Sequence, residues 1–88
     1  MDSSVPKTDP RAQHVEINAD ALIVDLADGR RITVPLAWFP RLLHATEEQR
    51  QNWELLGDGE GIHWPEIDED LSVAGLLAGI PAPGAPAV

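Results

Sequence analysis

The segment from Trp53 to Trp64, WELLGDGEGIHW, admits one antiparallel hairpin and little else. Asp58-Gly59 reads as a type I′ turn between two alternating runs. Counting outwards sets Leu55 opposite Ile62 and Trp53 opposite Trp64, so four apolar side chains share one face. On the other face Glu54 falls opposite His63, a favourable cross-strand pair once the histidine is protonated. Both faces agree in a single register. Pro65 ends the second strand.

A second Asp-Gly pair, Asp28-Gly29, predicts an earlier hairpin. A two-residue loop would set Val24 opposite Thr33. A three-residue loop, Ala27-Asp28-Gly29, sets Val24 opposite Ile32 and Leu22 opposite Val34. The second register gathers one apolar face and puts Gly29 at the left-handed position such loops need. His14 to Ile17 is a shorter strand candidate, pairing with Leu22–Leu26 through a turn at Asn18 to Asp20. Between the hairpins, Pro35 opens a helical turn, and Leu36, Phe39, Leu42 and Leu43 have helical spacing. Pro40 should bend or split that segment. Thr46 with Gln49 is a capping-box pattern, predicting a short helix from Glu47 to about Asn52. Asp68, Glu69 and Asp70 precede LSVAGLL, which predicts a last helix with acids in its first turn and Leu71, Ala74 and Leu77 on one face. Gly79 and Pro81 would stop it. The expected organisation is a disordered leader over residues 1–13, one domain over 14–80, and a disordered Pro/Ala tail over 81–88. The fold class is α+β: two antiparallel hairpins, a split central helix and a C-terminal helix.

Charge narrows the choice of partners. The net charge is −9 over 88 residues. Residues 51–88 hold seven acids and no Lys or Arg, whereas residues 1–50 hold eight acids and six bases. Such a surface repels nucleic-acid phosphates, where Lys and Arg dominate affinity. It would be steered towards a basic partner. A solubilising surface, or adaptation to a high-salt cytoplasm, would give the same composition without a partner. The chain has no cysteine, which excludes disulfides and thiolate metal sites. Its start is polar, unlike a signal peptide, and no run reaches the roughly 18 apolar residues of a membrane span. The expected location is the cytoplasm.

The chemistry-bearing residues form no catalytic pattern. The acids Asp58, Glu60, Glu66, Asp68, Glu69 and Asp70 lack the alternation of a calcium loop. His14, His44 and His63 form no zinc-binding spacing. Ser72 and Thr33 have no nucleophile context. An acid/base or metal-dependent enzyme would have to use Glu54, His63 and Glu66. The three tryptophans read first as core, with at least one partly exposed; Trp38 falls off the Leu36–Phe39–Leu43 face and is the one expected outside.

The block from Asp28 to Gly79 resembles a small bacterial family, domain of unknown function 2442. The matching elements are Asp28-Gly29 with its strands, Val34-Pro35-Leu36, Arg41-Leu42-Leu43, Trp53, the Ile62-His63-Trp64-Pro65 run and Asp70-Leu71-Ser72. The resemblance implies an α+β domain with small antiparallel sheets, short helices and no catalytic residues. Genes for similar proteins often lie beside one from a second family of unknown function, catalogued as 4160. Such pairs have been proposed as toxin–antitoxin modules, with the present family as the antitoxin half. The expectation is therefore a non-catalytic domain, without cofactor or metal, that binds a small basic partner protein through Trp38, Arg41, Glu66, Asp68, Glu69 and Asp70, and binds neither nucleic acid nor membrane.

Overall fold

A computed structural model describes residues 8–85. Of the expected leader over 1–13 and tail over 81–88, residues 1–7 and 86–88 lie outside the described residues. Two three-stranded antiparallel sheets follow one another along the chain, with short helices between and after them. The fold is α+β, as the patterning predicts.

The first sheet is a meander of β1 (Ala12–Ile17), β2 (Ala21–Leu26) and β3 (Arg31–Pro35). Strand β1 starts two residues before the expected His14, and a bulge lies between Ala12 and His14. Asn18 closes the first turn, its Oδ1 accepting from the N–H of Asp20 and Ala21, each at 2.8 Å. This side-chain mimic of a turn is why Asn favours such positions. The three-residue loop is found at β2–β3: Val24 faces Ile32, Leu22 faces Val34, and Gly29 takes φ +94°. Pro35 precedes a 3-10 turn at Leu36–Trp38, and Pro40 is the first residue of α1 (Pro40–Leu43), so the central helix is split where proline interrupts it. Leu36, Phe39 and Leu42 are buried, whereas Leu43 is exposed. Helix α2 (Glu47–Gln51) carries the predicted reciprocal cap between Thr46 and Gln49.

The second sheet consists of β4 (Glu54–Leu56), β5 (Gly61–Trp64) and β6 (Glu69–Ser72). Leu55 faces Ile62 and Glu54 faces His63, the predicted register. The turn is not type I′. Positive φ falls on Gly57 and Gly59, and Asp58 is not in that region; glycine takes left-handed backbone at lower cost than aspartate. The larger correction concerns the acidic run. Glu69 and Asp70 open a strand and not a helix, because β5 is central and its second edge needs a partner. Helix α3 (Val73–Ala78) starts later, capped by Ser72 Oγ accepting from Gly75 N–H, with no acid in its first turn. Neither Asp68 nor Asp70 caps it. Its buried face is Val73 and Leu76, while Leu77 is exposed. Gly79 ends it in the left-handed conformation, as expected.

Both sheets, the split helix and α3 share one core, which includes Val24, Leu36, Phe39, Ile62, Trp64 and Leu76. Trp64 is fully buried, and its indole N–H donates to the Arg50 carbonyl at 3.0 Å, so its polar end is satisfied. The sheets also touch through backbone: Ala12 N–H donates to Gly59 O at 2.7 Å. No helix among the described residues is long and apolar enough to cross a membrane.

Candidate functional site: the acidic end of the second sheet

The β5–β6 loop runs Pro65-Glu66-Ile67-Asp68. Asp68 alone among the described non-glycine residues has positive φ, +52°, a conformation Asp tolerates better than most. Its carbonyl accepts a hydrogen bond from Arg41 Nη1 at 2.6 Å, tying α1 to the loop. Glu66 is held at the other end, its Oε2 accepting from Asn52 Nδ2 at 2.7 Å. The acidic loop is thus fixed at both shoulders by long-range contacts.

Four of the six predicted partner-binding residues, Trp38, Arg41, Glu69 and Asp70, gather around the segment that follows α3, and Asp68 joins them only through its bond to Arg41. Arg41 and Glu69 line a groove of about 280 Å³ with Pro40, Ala82 and Pro83. Glu69 and Asp70 border a second groove of about 250 Å³ that includes Phe39, Leu76 and Ile80. Ile80 is 62% exposed. Ala82 N–H donates to Trp38 O at 3.0 Å, closing this wall. Burial pushes the Glu69 carboxyl above its ordinary value, opposed by the Arg41 charge. Glu66 stands apart on the far shoulder. Trp38 is partly buried against the core, as is Trp53; it contributes less free surface than its spacing suggests.

His63 takes a different partner from the expected one. Its Nδ1 is hydrogen-bonded to Asp70 Oδ1, not to Glu54. The ladder explains the choice. Val73 N–H donates to Glu60 O, so Glu60–Val73 is a hydrogen-bonded pair. Alternation then makes His63–Asp70 a non-hydrogen-bonded pair, where facing side chains come closest, and leaves Glu54 opposite His63 at a wider hydrogen-bonded position. Hydrogen bonding to Asp70 raises the His63 pKa, and the charges of Asp70, Glu54 and Asp68 add to it. The sequence does not disclose this pair, because composition favours a helix start where β6 forms.

Of the Glu54–His63–Glu66 set, Glu54 lies opposite His63 across the ladder, while Glu66 accepts from Asn52 and His63 pairs with Asp70. Among the described residues no three His, Cys, Asp or Glu side chains come together to hold a metal ion.

Solved structures share this fold. A protein of unknown function from Rhodospirillum rubrum ATCC 11170, known from a crystal structure, is 36% identical, with a TM-score of 0.72 over 85% of this chain and 93% of that one. The solution structure of an uncharacterized protein from Chromobacterium violaceum has a TM-score of 0.70 at 24% identity, over 84% of this chain and 70% of that one, and it speaks to the fold alone. No curated protein matches. Residues 12–82 match the family described as protein of unknown function (DUF2442), and the chain belongs to that family.

Proposed function

We propose that this chain is a non-catalytic protein-binding domain whose acidic end receives a compact basic partner, and that it is the neutralising half of a two-gene module. The observation that carries the reading is the joining of charge and apolar surface: Glu69 and Asp70 border the groove in which Ile80 lies 62% exposed. Carboxylates speed encounter with a basic protein, and an apolar contact beside them slows dissociation. Arg41 acts here as a clamp on the Asp68 carbonyl, and its charge stands beside Glu69. A net charge of −9 speaks against direct nucleic-acid binding.

The test is tagged co-expression with the product of the neighbouring gene, followed by sizing of the complex. Wild type should elute as a stoichiometric complex. The combined Glu66→Gln, Asp68→Asn and Glu69→Gln variant should fold and lose it. The fold should survive because glutamine still accepts from Asn52 and asparagine tolerates left-handed backbone. Elution of the wild type alone at low and moderate salt would overturn the reading, as would unchanged binding by the triple variant.

A further inference from the structure

Strand β1 has one side open. Asn18 N–H donates to Ala21 O, which fixes the alternation of the β1–β2 ladder: Asn18, Glu16 and His14 bond inwards to β2. The N–H and C=O of Val15 and Ile17 therefore point away from the sheet. No backbone group among the described residues bonds to them. The first half of this edge is closed by the bulge and by Gly59, which accepts from Ala12. The second half carries no Pro, Lys or bulge, three of the devices that blunt an edge; what guards it is the charge of Glu16 and the flanking helix α2. The opposite edge, β3, ends in Pro35.

A groove of about 320 Å³ runs beside this open stretch. Its walls are His14–Ile17 on one side and Glu47, Arg50, Gln51 and Trp53 on the other. An edge strand facing a helix across a groove is the arrangement by which extended peptides add to a sheet. The charges in it are unbalanced. Two carboxylates, Glu16 and Glu47, share the groove with one guanidinium, Arg50, which is held in place by the carbonyls of Leu42 and Leu43 at 2.9 and 2.7 Å. Neither Glu16 nor Glu47 forms an ion pair among the described residues.

We infer that the Val15–Ile17 edge is a strand-addition site for an extended, basic segment of a partner protein, with a Lys or Arg of that segment opposite Glu16. An incoming strand bonds to Val15 and Ile17, which puts Glu16 at a non-hydrogen-bonded position, where facing side chains approach most closely. A second copy of this chain would bring Glu16 and another −9 charge against its own kind. This surface is separate from the acidic end and requires nothing of it.

The probe is a synthetic peptide, acetyl-Thr-Thr-Val-Lys-Val-Thr-Thr-amide, titrated into the isotope-labelled full chain and followed by amide shifts and hydrogen exchange. The Val15 and Ile17 amides should shift and become protected. The same peptide with Glu in place of Lys should bind about fivefold more weakly, and Glu16→Lys should reverse that preference. Ile17→Pro removes an outward N–H while sparing the β1–β2 ladder, and should abolish binding of both peptides. The triple variant at the acidic end should bind like wild type, which separates this site from the proposed function. Unperturbed Val15 and Ile17 amides, or equal affinity for both peptides in wild type and Glu16→Lys, would overturn the inference. So would concentration-dependent self-association that Ile17→Pro abolishes, because a second copy would then be the occupant.

Discussion

Gly59→Ala should be the most damaging glycine substitution in this domain. Two costs add. Gly59 has φ +102°, which an L residue adopts only under strain, at a cost of about 1–3 kcal/mol. A Cβ there would also lie 2.4 Å from Ala12 O and 2.9 Å from Ala12 N. Those are backbone atoms of a strand, so no rotamer change relieves the overlap. The Ala12–Gly59 hydrogen bond, now 2.7 Å, would break, with a further loss of about 0.5–1.5 kcal/mol. The total is about 1.5–4.5 kcal/mol, a large part of the roughly 5–15 kcal/mol that a small domain commands. Urea unfolding monitored by tryptophan fluorescence provides the assay, since Trp64 is fully buried. Gly29→Ala is the control. Gly29 has a similar φ, +94°, with nothing within 4 Å of the added carbon, so it reports the conformational cost alone. If Gly59→Ala costs no more than Gly29→Ala, the junction between the sheets is looser than its geometry implies.

Three further outcomes follow from particular contacts. The His63 pKa is raised in the folded chain, so its contribution to stability is complete below the ordinary value of about 6.5 and is lost as pH rises through the folded value. Thermal stability of the wild type should fall across that window, Asp70→Asn should flatten the fall, and NMR titration should return His63 towards its ordinary pKa. Asp68→Gly should raise stability by about 0.5–1 kcal/mol by relieving the φ of +52°, whereas Asp68→Val should lower it by about 1–2 kcal/mol, both read by denaturant midpoint. Thr46→Ala removes one arm of the capping box and should cost about 1 kcal/mol in the same assay.

Both hairpin registers were legible because turn and alternation agreed locally: Asp28-Gly29 and Asp58-Gly59 each left one pairing that gathered the apolar residues. The Pro40 break and the Thr46–Gln49 cap were equally local. What sequence did not disclose was decided at a distance. The run Asp68-Glu69-Asp70 suits a helix start by composition, but β5 offered an unpaired edge, and sheet formation prevailed over local preference. Little in the sequence marks this strand, since Glu69 and Asp70 are adjacent acids and Leu71 is its one apolar residue. Missing that strand displaced the start of α3, turned its buried face from Leu71, Ala74 and Leu77 to Val73 and Leu76, and hid the His63–Asp70 pair. The candidate binding residues were legible as a composition. Their gathering around Ile80 and Ala82 was not, because it depends on how the chain returns after Gly79.

Each sheet is a meander of consecutive strands, β1 to β3 and then β4 to β6. Nearly every strand pairing is thus made between residues close in sequence, and little loop entropy is lost before pairing is rewarded. Such local strand pairing favours rapid folding. Neither meander owns the core, however: Trp64 and Ile62 from one and Leu22 and Val24 from the other belong to a single cluster. The two halves can nucleate separately, but each exposes its apolar face until they meet. Their docking is the step at which folding becomes cooperative, and a chain interrupted between them would present sticky half-domains to the cell.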